Sequence, residues 1–62
     1  MEMNKYEVGG LTYEAKNEHA AVKQAHKRAL HVRMIKYMGD NTWEYRAYYN
    51  AGSAYVIVKK AL

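Results

Sequence analysis

Residues 32–60, VRMIKYMGDNTWEYRAYYNAGSAYVIVKK, decide the fold. Two clusters of turn-forming residues, Gly39-Asp40-Asn41 and Asn50-Ala51-Gly52-Ser53, divide this stretch into three segments rich in β-branched and aromatic side chains. That pattern predicts three strands joined by two tight turns. Six of the chain's eight aromatic residues lie here: Tyr37, Trp43, Tyr45, Tyr48, Tyr49 and Tyr55.

The registers follow from the turns. A three-residue loop at 39–41 sets Met38 opposite Thr42, Tyr37 opposite Trp43 and Lys36 opposite Glu44. A two-residue turn at Ala51-Gly52 sets Tyr48 opposite Tyr55, Arg46 opposite Ile57 and Glu44 opposite Lys59, so that Glu44 lies between two lysines. Strand alternation then sends Ile35, Tyr37, Trp43, Tyr45, Ala47, Tyr49, Val56 and Val58 to one face, the natural core. The other face holds Met34, Lys36, Arg46, Tyr48, Tyr55, Ile57 and Lys59, and it is too apolar for ordinary solvent-facing surface.

Ahead of this stretch, Met3–Val8 and Leu11–Ala15 flank Gly9-Gly10, a pair suited to the positive φ angles of a two-residue hairpin turn. With Val8 opposite Leu11, Tyr6 meets Tyr13 and Lys5 meets Glu14, so apolar alternation and charge pairing select the same register. Asn17 is then placed as a helix N-cap with Glu18 in the first turn. Strong helix formers continue to about Leu30, with Ala21, Val22, Ala25, Ala29 and Leu30 on one stripe and His19, Lys23, His26 and Lys27 on the other side.

Neither glycine nor proline marks the helix end, so a helix reaching Met38 is the competing reading. The strand propensity of Val32, Ile35 and Tyr37 favours a strand instead. The predicted architecture is a single α+β domain over 1–62, of order β-β-α-β-β-β, with an antiparallel sheet and one helix packed on one face.

The composition narrows the function. Sixty-two residues without cysteine leave no disulfide framework and little volume for an enclosed pocket. The formal charge is +4, and residues 16–36 hold six Lys or Arg against Glu18 alone, which favours an anionic partner. No run approaches the ~20 apolar residues of a membrane span. Met1 leads directly into charged sequence rather than a signal peptide, which points to the cytoplasm.

The residues hold no glycine-rich phosphate loop and no supported Ser-His-acid set, so an enzyme is not expected. His19 and His26 are seven apart and His31 five further on, against the three or four that suit a helical metal pair, so the three are read as exposed polar residues. No metal or other cofactor is expected.

What remains is binding. Tyr48 and Tyr55 offer rings for stacking, and Lys36, Arg46 and Lys59 offer cations for phosphate, which suits unpaired bases of a nucleic acid or a nucleoprotein complex. The same residue types dominate protein–protein hot spots, so a host protein or a second copy of the chain fits the same face. Lys23, Lys27 and Arg28 make a secondary basic surface on the helix, expected to point away from the first.

Tyr6-Glu7-Val8, a short turn, and Tyr13-Glu14-Ala15-Lys16-Asn17-Glu18 running into an Ala/Lys helix resemble the hairpin–helix opening of small accessory proteins encoded by phages and mobile elements. The resemblance covers about the first third of the chain. It implies a compact protein that binds and inhibits or redirects a host machine, nucleic-acid-guided defence complexes included, and it assigns no functional residue.

Overall fold

The computed structural model describes residues 2–61. Its elements are β1 (Asn4–Val8), β2 (Leu11–Ala15), α1 (Glu18–Ala25), β3 (His31–Gly39), β4 (Thr42–Tyr49) and β5 (Gly52–Ala61). This is the α+β order read from the sequence. All five strands form one antiparallel sheet in the order β2-β1-β5-β4-β3. The N-terminal hairpin therefore docks on the C-terminal strand, and the helix carries the chain from one edge strand, β2, to the other, β3.

The first hairpin has the expected register, with Val8 against Leu11, Tyr6 against Tyr13 and Lys5 against Glu14. Gly9 and Gly10 form its turn at φ 60° and 84°, left-handed values that glycine adopts without a Cβ clash. One row on the helix side crosses every strand: Leu11, Val8, Val58, Trp43, Tyr37.

The helix starts where its cap predicts and stops early. The Asn17 side chain accepts a hydrogen bond from the Ala20 amide at 2.8 Å. The expected run to Leu30 is overturned: α1 ends at Ala25, and the longer alternative to Met38 is excluded by β3. The reason lies in competition for a backbone donor. The Leu30 amide donates to the Tyr48 carbonyl at 2.7 Å, which ties the chain to the sheet before another helical turn can form. An alanine-rich stripe offers too little burial to resist, and Leu30 ends 66% exposed rather than in the core.

Three details of the C-terminal registers also differ from expectation. Asp40 and Asn41 alone form the β3–β4 turn, both at positive φ (53° and 56°), so Gly39 faces Thr42 and Met38 becomes the extra residue of a bulge. Tyr37–Trp43 and Lys36–Glu44 hold as read. At the β4–β5 turn the tip is Asn50-Ala51, and Gly52 at φ 154° opens β5, where its backbone freedom absorbs the distortion. That moves the register by two residues: Tyr48 faces Ser53, Arg46 faces Tyr55 and Glu44 faces Ile57. An even shift preserves every residue's face, so the division of β4 and β5 survives the correction.

The third difference changes faces. A second irregularity leaves Ile35 unpaired between Met34–Tyr45 and Lys36–Glu44. The alternation expected for β3 therefore breaks there. Val32 is buried opposite Ala47, Met34 pairs with the core residue Tyr45 rather than lying on the open face, and Ile35 and Tyr37 are 40% and 55% exposed.

The core lies between α1 and the sheet. Ala21 and Val22 press against Tyr6, Val8, Ala15, Val32, Tyr45, Ala47, Val56 and Val58. Small residues on the helix allow a close approach to the sheet, and Tyr45 supplies bulk. Tyr45 is almost fully buried, but its hydroxyl donates to Glu18 Oε2 at 3.3 Å, so the polar tip is satisfied at the first helical turn. No helix among the described residues is long and apolar enough to cross a membrane.

Candidate nucleic-acid interface

The face opposite the helix is uncovered, and cross-strand pairing arranges it in rows. The row nearest the β4–β5 turn is His31, Tyr48, Ser53; the next is Arg33, Arg46, Tyr55; then come Lys36, Glu44 and Ile57. A fourth row continues from β4 and β5 onto β1 and β2 and runs Thr42, Lys59, Glu7, Thr12. All five residues proposed from sequence, Lys36, Arg46, Tyr48, Tyr55 and Lys59, share this face. Their neighbours are different. Tyr48 and Tyr55 are not cross-strand partners, and Glu44 is flanked by Lys36 and Ile57 rather than by two lysines.

Lys59 separates from the group. It stands between Thr42 and Glu7, in a quarter of the sheet where Lys5, Glu7 and Glu14 alternate in sign. The half built from β3, β4 and the start of β5 carries Arg33, Lys36 and Arg46 against Glu44 alone. The basic and aromatic character is concentrated there.

Arg33 is not among the residues expected from sequence, and it is central. The Ile35 bulge rotates the start of β3 by one position, which buries Val32 and places Arg33 directly across from Arg46. The sequence does carry a signal: apolar residues at 32, 35 and 37 are out of step with strict alternation, as an inserted residue requires. Like charges directly opposite one another destabilise a sheet. Arg46 turns instead to a neutral partner, its guanidinium donating to Ser53 Oγ at 3.2 Å.

Tyr55 closes that row and is 58% exposed, its ring open to a ligand. Its hydroxyl is shifted up from the ordinary tyrosine range, first by partial desolvation and then by the Glu44 carboxylate, with Arg46 opposing. Tyr48 is half-buried because His31 stacks on it, ring centroids 4.6 Å apart and planes at 15°. One flat surface of Tyr48 is thus already occupied.

The secondary basic surface also moves. Lys23 lies on α1, but Lys27 and Arg28 fall in the turn that follows it. Lys23 and Lys27 line a cleft with His19, His26 and His31, between the helix and the start of β3. Arg28 borders a separate recess beside Tyr13 and Tyr49. The two basic surfaces were expected to point apart, yet His31 belongs to both, so they meet around the β3 edge. Nor are all three histidines free surface residues: His26 is half-buried, and its Nδ1 shares a 2.6 Å hydrogen bond with the Tyr49 hydroxyl. Among the described residues no group of three His, Cys, Asp or Glu is arranged to hold a metal ion.

Comparison with protein-family models, curated proteins and solved structures gives no match for this chain. The geometry of the open face is therefore what bears on function.

Proposed function

We propose that this chain is a non-enzymatic cytoplasmic protein that binds single-stranded nucleic acid, free or within a nucleoprotein complex, on the open face of its sheet. The observation that carries this reading is the Arg33–Arg46 cross-strand pair with Tyr55 in the same row. Two arginines at directly opposed positions are unfavourable alone and favourable around a phosphate, which accepts hydrogen bonds from both guanidiniums when Arg46 turns from Ser53 to meet it. The exposed Tyr55 ring supplies a platform for an adjacent base, and Lys36 extends the cationic track along β3. A single strand fits better than a duplex because the aromatic surface needs unpaired bases.

The test is a titration with short single-stranded and duplex oligonucleotides at low and moderate salt, read by NMR. Saturable shifts at Arg33, Arg46 and Tyr55 that persist at moderate salt are expected for the single strand. Diffuse shifts confined to lysines and abolished by salt would sink the proposal.

A second reading has its own support. Met34, Ile35, Tyr37 and Met38 are all exposed on β3, an edge strand of nine residues. An apolar edge of that length suits strand addition by a host protein, as the likeness to phage accessory proteins implies, or by a second copy. Binding by this route would be insensitive to salt and to Arg46→Ala.

A further inference from the structure

The cleft between α1 and the start of β3 holds about 140 Å³ and is lined by five residues with nitrogen-bearing side chains, His19, Lys23, His26, Lys27 and His31, with Ala29, Leu30 and Val32 completing it. None of its lining residues is acidic. Each imidazole is held by a different tyrosine of β4. His19 packs edge-on against Tyr45 with ring centroids 5.8 Å apart, His26 is hydrogen-bonded to Tyr49, and His31 stacks on Tyr48. With Nδ1 of His26 committed to Tyr49, Nε2 is the nitrogen left for a ligand.

We infer that this cleft is a phosphate-group site, joined through His31 to the open face. The imidazoles of His19 and His26 on fixed supports and the two flexible ammoniums of Lys23 and Lys27 supply donors from several directions, as a tetrahedral oxyanion requires, while the His31 ring stands at the open-face rim against Tyr48. A cleft of about 140 Å³ accommodates such an anion with part of its hydration shell. A metal ion fits less well, since two of the five groups are ammoniums that repel it and no acidic residue compensates. Because His31 also stacks on Tyr48, a strand lying along the Arg33–Arg46 row reaches this cleft by turning its backbone around the β3 edge. That route rests on the proposed function; phosphate binding in the cleft itself does not.

The experiment follows the imidazole C–H signals of the three histidines in the intact chain. One arm adds inorganic phosphate, against chloride at equal ionic strength. The other adds a single-stranded oligonucleotide to the wild type and to the Lys23→Ala/Lys27→Ala double variant, with Lys16→Ala as the control. Saturable histidine shifts with phosphate and not chloride are expected. So is a roughly tenfold loss of oligonucleotide affinity in the double variant, with a salt slope shallower by about 0.7 for each phosphate that is no longer neutralised.

Shifts that chloride reproduces would overturn the inference, as would histidine signals that move with neither phosphate nor oligonucleotide while Arg46 and Tyr55 respond. The latter result would leave the open-face proposal intact. Phosphate shifts without any oligonucleotide response at Arg46 would do the reverse: the cleft would stand as a site for free phosphate, and the nucleic-acid reading would fail.

Discussion

Arg33 on the edge strand β3 and Arg46 on β4 are direct cross-strand partners on an uncovered sheet face. Placing two cations there costs folding stability, on the order of 0.2–1 kcal/mol for a directly opposed pair. Arg33→Thr keeps a strand-favouring residue at this position and removes the repulsion. It is expected to raise the urea midpoint modestly while weakening oligonucleotide binding. A variant that loses stability and binding together would show that Arg33 is structural.

Tyr45 links pH to stability. Burial first, then the Glu18 carboxylate and its hydrogen bond, push the Tyr45 hydroxyl up from 10.0 to about 12. The folded state thus holds this proton more tightly than the unfolded chain does. The associated stability is fully present below about pH 10 and is lost as pH rises through about 12. With solvent screening of the Glu18 partner allowed for, the change is on the order of 1–2 kcal/mol. Alkaline unfolding of the wild type should steepen across this window, and Tyr45→Phe should flatten the curve there.

Capping of α1 rests on one side chain. Removing the Asn17 acceptor from the Ala20 amide by Asn17→Ala should cost about 1 kcal/mol, measured by thermal or urea unfolding. Asn17→Ser or Asn17→Asp should recover most of it. The effect on the sheet should be small by hydrogen exchange, because the α1 cap lies outside the strand ladders.

Ile35 and Met38 are the two β3 residues that β4 does not pair, and Ile35 is the one that sets the register of the first part of the strand. Deleting it leaves Met34–Tyr45 and Lys36–Glu44 as consecutive pairs, so Val32 stays buried and Arg33 still faces Arg46. The fold should survive, with similar amide shifts outside β3. The straightened edge should associate more readily with itself, because bulges twist an edge strand away from new partners. Sedimentation of the deletion variant across a concentration series should show this. A deletion variant that stays monomeric at high concentration would show that the bulge does not guard the edge.

The element order, the first hairpin's register, the Asn17 cap, and the buried faces of β4 and β5 are all legible in the amino-acid sequence. Those features are local: turn chemistry, a period of two and a capping side chain each act within a few residues. Even the misplaced β4–β5 turn leaves the faces correct, since a slip of two preserves side-chain parity.

The remaining features arise only on packing. Pairing of β1 with β5 depends on two segments about fifty residues apart finding a common edge, with Val8 against Val58. The helix does not reach Leu30 because the Tyr48 carbonyl captures the Leu30 amide, a bond that no helix propensity encodes. The arginine pair exists because a bulge at Ile35 reverses the parity of the first part of β3. The histidines, twelve residues apart from first to last, border one cleft because the turn after α1 brings the start of β3 beside the helix. Local chemistry sets which side of a strand a residue occupies. Only the packed sheet and helix set which residue stands beside it.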